Sequence, residues 1–428
     1  MTSLPSRLPL TNAIALAAAM LPLSALAAQD TVTPESVVSN YADVAQATYA
    51  DALSAAEQLD ERIDAFLEAP SDETLAAARD AWIEARVPYQ QSEVFRFGNP
   101  VVDNWEGQLN AWPLDEGMID YVASDDYQHE LGNSGATANI VANTSIQVGG
   151  ETLDVSEITP ELLADLNEIG GSEANVATGY HALEFLLWGQ DLHGFESGNG
   201  ERPASDYLTG DDCTHGHCDR RRTYLDAASD LLVDDLEWMV AQWSPDQQEN
   251  YRQELLSEPA KEGLRRILFG MGSLSLGELA GERMKVALEA NSYEDEHDCF
   301  SDNTHNSHFY NGLGVQNVYL GKYESLDGSV TEGPSLSDLV AQQDAGLDAT
   351  LRNELEASMA ELADLKEAAE ADNSPMAFDM MIAPGNEQGA KMINEAILAL
   401  VTQTVSIEKA AGSLGVTSLQ PDDAGHAF

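Results

Sequence analysis

Residues 179–189 read Gly179-Tyr180-His181-Ala182-Leu183-Glu184-Phe185-Leu186-Leu187-Trp188-Gly189, a nearly apolar run with one histidine and one glutamate. In a helix, His181 and Glu184 stand at i and i+3 and therefore share a face. An apolar stripe beside them predicts that the segment is buried. That stripe consists of Val176, Tyr180, Leu183 and Leu187. A buried imidazole beside a buried carboxylate must be paired or must bind something. For this spacing a hydrogen-bonded core pair is the commoner outcome, and a metal site is the alternative.

Helical periodicity recurs along the chain and indicates an all-α protein built from helical bundles. Thr33 and Pro34 are typical of a helix start, and the stripe that follows ends at Pro70. Ser71 should begin the next helix, which we expect to stop before Pro88. Further helical stripes lie at residues 225–243, 347–362 and 392–407.

The domain organisation is predicted from length and from two helix-start patterns. A chain of 428 residues is long enough for two or three domains of ~100–200 residues each. Patterns typical of helix starts occur at residues 244–246 and 257–259. We therefore expect two helical bundles, residues 28–250 and 251–428, with a cleft between them. Residues 145–148, before Gly149-Gly150, are the one plausible short strand in the sequence.

Glycines recur at seven-residue intervals at positions 263, 270 and 277. Glycine in a helix interior costs ~1 kcal/mol relative to alanine. Its repeated use on nearly one face therefore predicts that another helix passes very close.

The first residues resemble a secretory signal. Arg7 gives a positive start, residues 13–23 are apolar, and Ala25-Leu26-Ala27 is a small-x-small cleavage site. The apolar run is short for a membrane span. We expect residues 1–27 to be a cleaved signal peptide and the mature protein to be exported to the periplasm or envelope, not embedded in the membrane.

The charge is strongly acidic, with 74 Asp and Glu against 20 Lys and Arg and a formal net charge of -54. Binding to phosphate backbones needs clustered Lys and Arg, so nucleic acid is excluded as a natural partner. Acids spread over the whole chain suit a salty medium, in which counterions screen self-repulsion. Concentration of cations for a metal site is the alternative explanation.

Three cysteines occur, at positions 213, 218 and 299. Cys213 and Cys218 flank two histidines, a pattern that would indicate zinc in a cytosolic protein. Export favours a disulfide between them instead. Cys299 is then left unpaired.

A second stretch rich in ligand-type side chains covers residues 294–305. A solvated acidic loop is one interpretation of it. The other is a half-site formed by Glu296, Asp302 and His305, which would face His181 and Glu184 across the cleft and complete a site with four or more ligands. Mixed imidazole and carboxylate ligands suit iron or zinc.

Three ordered stretches together resemble the imelysin family. They are Gly179 to Gly189 with its Gly-x-His-x-x-Glu motif, Phe95 to Val122 with Trp112-Pro113-Leu114-Asp115-Glu116-Gly117, and Cys299 to Gly321 with Cys299-Phe300-Ser301-Asp302-Asn303-Thr304-His305. The resemblance implies an all-helical envelope protein of the bacterial iron-uptake type. It also implies that the Gly-x-His-x-x-Glu motif, here His181 and Glu184, binds metal.

Three functions follow as hypotheses. The first is binding or uptake of a metal ion or metal chelate, iron first and zinc second, together with envelope iron-transport components. The second is a metallopeptidase, which is the family's older label. A zinc peptidase needs about three protein ligands and a water-activating carboxylate, and the sequence has no His-Glu-x-x-His motif. The third is a non-catalytic, partner-binding helical protein.

Overall fold

A computed structural model describes residues 31–123, 127–416 and 419–421 of the chain. Helices dominate this part. They are α1 Pro34–Glu68, α2 Asp72–Ser92, α3 Pro100–Asn110, α4 Pro160–Leu166, α5 Gly179–Trp188, α6 Cys218–Trp243, α7 Tyr251–Ser257, α8 Ala260–Ser273, α9 Ala287–Ala290, α10 Thr304–Leu320, α11 Leu336–Gln343, α12 Ala345–Ala369, α13 Phe378–Ile382 and α14 Glu387–Ser413. Between α8 and α9 the chain continues as a π-helix, Leu274–Val286. Single 3₁₀ turns lie at Glu93–Phe95, Glu116–Met118, Ile169–Gly171, Ala204–Tyr207, Gly210–Asp212 and Tyr293–Asp295. The all-α prediction is confirmed.

Two small antiparallel hairpins complete the described secondary structure. They are β1 Ser145–Val148 with β2 Glu151–Asp154, and β3 Lys322–Glu324 with β4 Val330–Glu332. The predicted strand at 145–148 is confirmed. Gly149 and Gly150 join it to β2 with φ of 60° and 85°. Positive φ at both central residues is what a tight two-residue hairpin turn requires, and glycine adopts it without strain.

The starts of the first two helices follow from their capping residues. The hydroxyl of Thr33 accepts a hydrogen bond from the backbone N–H of Ser36 at 3.2 Å, and Ser36 Oγ accepts one from the N–H of Thr33. Ser71 and Thr74 make the same reciprocal arrangement at α2. Each pair satisfies donors that have no partner within the helix.

The expectation that α2 stops before Pro88 is wrong. The helix continues to Ser92 with Pro88 in its interior. Proline removes one helical hydrogen bond there. Arg86 and Tyr89 on either side of it are buried, and their tertiary contacts hold the helical conformation despite that loss.

The helices on both sides of residues 245–260 share one core. The described residues from Val32 onward form a single compact unit. Helix α1 packs on α2 and α6, and α10 packs on both α2 and α12. The larger apolar core includes Val37 near the start and Ile407 near the end, and a smaller core joins the π-helix to α12, α13 and α14. The predicted division into two bundles and the cleft between them are not confirmed, and the larger core takes residues from both predicted halves.

Residues 1–27, the predicted signal peptide, lie outside the described residues. Within the described ranges, no helix combines the length and the apolar character that a bilayer crossing needs.

Candidate metal centre

Helix α5 is fixed by a glycine at each end. Gly179 has a φ of +76°, and a Cβ there would overlap the carbonyl group of Leu109. Gly189 has a φ of +73° and ends the helix. Only glycine adopts this backbone without strain, so both glycines of the stretch have a structural reason.

Side chains from neighbouring elements hold the α5 backbone. The indole N–H of Trp82 donates to the carbonyl of Tyr180 at 2.9 Å, and the hydroxyl of Tyr207 donates to the carbonyl of Leu186 at 2.5 Å. Every residue of α5 is buried. His181 is therefore carried on a rigid element inside the protein.

The two polar residues of α5 contact each other. His181 Nδ1 lies 2.9 Å from Glu184 Oε2. The other oxygen of Glu184 accepts hydrogen bonds from the backbone N–H of Ser301 at 2.9 Å and from its hydroxyl at 2.7 Å. With Nδ1 engaged, Nε2 of His181 is the ring nitrogen left for another partner, and it has none in the structure.

His297 lies next to His181 and is equally buried. Their ring centroids are 4.9 Å apart, with the rings nearly perpendicular. Neither ring nitrogen of His297 makes a hydrogen bond. Its Nδ1 lies 3.2 Å from Asp298 Oδ1, which is a close contact without hydrogen-bond geometry. One ligand atom from each of His181, His297 and Asp298 lies within 4.8 Å of the other two.

Asp298 is also bound by Arg86 of α2. Nη2 of Arg86 lies 2.7 Å from Asp298 Oδ1, and its Nη1 donates to Asn110 Oδ1 at 2.5 Å. The remaining oxygen of Asp298 accepts from the amide of Asn303 at 3.0 Å and from the hydroxyl of Ser307. Asp298 is the most fully satisfied member of this group.

Burial sets the protonation of these groups. Burial, and next the positive charge of Arg86, lowers the pKa of His181 to about 3. Burial, and next Arg283, lowers the pKa of His297 well below its usual range. Burial alone would raise the pKa of Asp298, but Arg86 holds it well below its usual range. Two neutral imidazoles and one carboxylate are the protonation states that a metal ion requires of its ligands.

Glu184 has the opposite shift. Burial, and next the negative charge of Asp298, raises the pKa of Glu184 well above its usual range. Burial thus shifts Glu184 toward its neutral carboxyl form and His181 toward its neutral imidazole form.

Glu296 and Asp302 belong to a different group, with Asp379 of α13. One carboxylate oxygen from each of the three lies within 4.8 Å of the other two. Burial, and next Asp379 and Asp302, raises the pKa of Glu296 well above its usual range. Burial, and next Asp379, raises the pKa of Asp302 to about 8. Burial raises the pKa of Asp379 to about 7, and the backbone N–H of Met380, which lies nearby without meeting hydrogen-bond geometry, partly offsets that rise.

His305 belongs to neither group of the described residues. Its Nε2 lies 3.5 Å from Glu370 Oε1 of α12. The single site expected from His181, Glu184, Glu296, Asp302 and His305 is therefore divided in the structure. Asp302 has a φ of +57°, and α10 begins two residues later, so the chain turns between these ligand candidates.

The structure joins Cys213 and Cys218 by a disulfide with a Cα–Cα distance of 6.0 Å. Cys299 has a free thiol. Burial, and next Glu184, raises the pKa of that thiol well above its usual range. The thiol form is neither a good nucleophile nor a good metal ligand.

Sequence reasoning did not single out His297, Asp298, Asp379 or Arg86 as site residues. Asp379 offers the same signal as His181, because it is one acid in an apolar helix, Phe378-Asp379-Met380-Met381-Ile382. His297 and Asp298 stand in the acidic stretch already noted, but nothing local ranks them above their neighbours. Arg86 is 212 residues from Asp298 along the chain, a pairing that local spacing does not reveal.

The chain is thus an all-helical protein that carries a buried His-x-x-Glu pair on a glycine-bounded helix. The sequence model of the imelysin family, also labelled peptidase M75, matches residues 45–407 of the chain. The chain belongs to the imelysin family.

Relatives agree with this assignment. The iron-regulated protein A of Synechococcus elongatus is 30% identical over 87 residues, which is 20% of this chain and 24% of the relative. The match thus spans about a quarter of that relative's length. An iron-regulated protein A precursor from Parabacteroides distasonis has a solved structure with a TM-score of 0.64 and 18% identity, covering 89% of this chain and 94% of the other. The solved structure of an imelysin-like protein from Psychrobacter arcticus has a TM-score of 0.55 and 16% sequence identity. The match covers 92% of this chain and 98% of the other. Both structures share the fold.

Proposed function

We propose that the chain binds a transition-metal ion at His181 and His297, with Asp298 as a third ligand. The supporting observation is that Nε2 of His181 and both ring nitrogens of His297 are buried and have no hydrogen-bond partner. A buried polar atom left unsatisfied costs ~1–3 kcal/mol. A metal ion would satisfy one nitrogen of each ring at once.

The spacing of these donors fits one ion. Metal–nitrogen bonds of about 2.0–2.1 Å place neighbouring ligand atoms roughly 3–4 Å apart. The donors lie within 4.8 Å of one another, so small side-chain movements bring them to that distance. Because Arg86 already binds Asp298, the imidazoles are the stronger ligands, and imidazole suits iron and zinc.

In this proposal Glu184 positions His181 and is not itself a ligand. Glu184 Oε2 lies 2.9 Å from His181 Nδ1, and with an ion on Nε2 the carboxylate would accept the hydrogen bond from Nδ1–H. Metal-binding histidines commonly donate their second N–H to a carboxylate, which fixes the ring and strengthens the ligand. Ser301 holds Glu184 in turn.

Iron is the proposed ion, free or as a chelate, and zinc is the alternative. Two relatives carry the name iron-regulated protein A. Together with the signal-like residues 1–27, this supports a periplasmic or envelope iron-uptake role beside envelope transport components. Burial argues against peptidase activity, because His181 is 1% exposed and Glu184 is 0% exposed, which leaves no surface for a peptide bond.

The test is a titration of metal-stripped protein with Fe²⁺ under anaerobic conditions and, separately, with Zn²⁺. The parent should bind one ion tightly. His181→Ala and His297→Ala should each weaken binding by at least about tenfold and leave the helical circular-dichroism signal nearly unchanged. His129→Ala, which removes an exposed histidine, is the matched control.

Equal affinity in His181→Ala and the parent would show that the motif is a structural pair. Zinc binding with proteolysis would support the peptidase instead. Absence of any tight binding would leave the chain as a partner-binding helical protein.

A further inference from the structure

Three carboxyl groups crowd together beside the histidine pair. Glu296 and Asp379 are each 1% exposed, whereas Asp302 is partly exposed. Four of their oxygens have no hydrogen-bond partner. These are Glu296 Oε1, Asp302 Oδ1, Asp379 Oδ1 and Asp379 Oδ2.

This crowding needs a compensating positive charge. Among the described residues, no Lys or Arg forms an ion pair with any of the three. The described ion pairs of the surrounding stretch go instead to Asp298 and to His305. Like charges this close repel, and an uncompensated buried carboxylate is costly. Either protons or a cation must neutralise the group.

We propose that Glu296, Asp302 and Asp379 form a second cation site that takes a hard divalent ion such as Ca²⁺ or Mn²⁺. Three carboxylates supply up to six oxygens, and such ions prefer oxygen ligands. The absence of a nitrogen donor from this group separates it from the imidazole site. Asp302, as the partly exposed member, provides the point of entry.

The two sites would be adjacent along the backbone. Glu296 contributes to the second site, and the next residue, His297, contributes to the first. The second site stands on its own observation, the unpartnered carboxylate oxygens, and does not depend on metal binding at His181.

Trp112 provides a specific reporter. Its indole N–H donates to the carbonyl of Glu296 at 2.8 Å. Tb³⁺, which substitutes for Ca²⁺ at oxygen sites, should therefore luminesce on tryptophan excitation when it occupies this site. The full chain, stripped of metal and kept in 0.5 M NaCl to screen surface acids, should show one saturable Tb³⁺ site that Ca²⁺ or Mn²⁺ displaces.

The variants separate this site from the histidine site. Asp379→Asn should weaken Tb³⁺ and Ca²⁺ binding at least tenfold, whereas the exposed Asp372→Asn and the histidine-site variant His181→Ala should bind like the parent. Trp112→Phe should lose the sensitised luminescence but keep Ca²⁺ binding by calorimetry. If Asp379→Asn fails to fold, Asp302→Asn takes its place. The proposal is overturned if the parent shows no stoichiometric site, or if the folded carboxylate variant binds as the parent does, in which case protons neutralise the group.

Discussion

At the level of single residues, the contact between His181 and Glu184 decides which ring nitrogen is free. Glu184 is held by two hydrogen bonds from Ser301 and one contact to His181, so its position is fixed from both sides. A neutral amide in its place keeps the shape but removes the negative charge that strengthens the imidazole as a ligand.

Glu184→Gln should therefore weaken Fe²⁺ or Zn²⁺ binding by about 10–100-fold without abolishing it, whereas His181→Ala should have the larger effect. Isothermal titration of the three proteins side by side measures this. Parent-like affinity in Glu184→Gln would mean that the carboxylate does not support the histidine. A complete loss equal to that of His181→Ala would mean that Glu184 is itself a ligand.

His308 on α10 should make the unfolding free energy of the protein sensitive to acid. It is fully buried, neither ring nitrogen has a partner, and burial, followed by Arg283, lowers its pKa to about 3. The unfolded chain protonates this histidine near pH 6.5, while the folded chain does not until about pH 3. Stability is therefore lost as the pH falls through that window.

His308→Leu should remove this loss. When the pH falls from 7 to 4.5, the unfolding free energy of the parent should change unfavourably relative to that of the variant, by roughly 2–3 kcal/mol. Urea unfolding at both pH values gives the difference, and comparison with the parent cancels the opposite contribution of carboxyl groups with raised pKa. The exposed His129→Leu is the control. An identical pH dependence in His308→Leu and the parent would contradict the assignment.

Local residue patterns predict a single buried site residue better than they predict a site. His181 and Glu184 were found because two polar groups interrupt an apolar helical run. Asp298, Arg86 and His297 meet only through long-range packing, which spacing along the chain does not encode. The same limit explains why Asp302 and His305 were expected together, although the turn at Asp302 separates them.

At the level of elements, the glycines of α8 mark a close approach. A Cβ at Gly270 would lie 2.5 Å from the carbonyl oxygen of Val94 and 2.9 Å from that of Phe97. At Gly263 it would meet the side chain of Val38. The repeated spacing predicted a helix close to α8, and α8 does pack on the helix α1. The backbone that crowds Gly270, however, belongs to Val94 and Phe97, which lie in and just after the 3₁₀ turn Glu93–Phe95.

Gly270→Ala should destabilise the protein by about 1–3 kcal/mol, because both obstacles are backbone atoms that cannot rotate away. Gly412→Ala is the matched control, since it is a helical glycine with no atom within 4 Å of the added Cβ. That change should be neutral or stabilise by about 0.5–1 kcal/mol. Chemical denaturation of both variants measures the contrast, and equal effects would argue against the close approach.

The helix starts were predictable because a few neighbouring residues determine them, as at Thr33 and Ser71. The continuation of α2 beyond Pro88 was not predictable in this way. Its local rule is outweighed by burial of Arg86 and Tyr89, whose partners lie far away in sequence. The second strand of each hairpin also lacked an alternating pattern, since both are short and mostly exposed.

At the level of the whole molecule, the chain of 428 residues carries a formal net charge of -54. An aspartate ridge between α1 and α6 shows how this charge brings like-charged side chains close together. It consists of Asp60, Asp64, Asp226, Asp230 and Asp234. Burial, and next the neighbouring Asp60, raises the pKa of Asp230.

This ridge predicts that salt stabilises the protein. Three i,i+4 pairs of like charge occur within it, and each costs ~0.2–0.5 kcal/mol at low salt, or about 1 kcal/mol together. The screening length falls from about 10 Å at 0.1 M to about 3 Å at 1 M salt, so this repulsion should largely disappear.

Urea unfolding in 0.05, 0.5 and 2 M NaCl should show an unfolding free energy that rises with the salt concentration. The double variant Asp64→Asn/Asp230→Asn should start higher and rise less. Glu151→Gln/Glu157→Gln removes the same charge from another region and should keep most of the salt effect. If the two double variants respond alike, net charge matters more than the ridge, and if the parent does not respond to salt, the acids are not a source of instability.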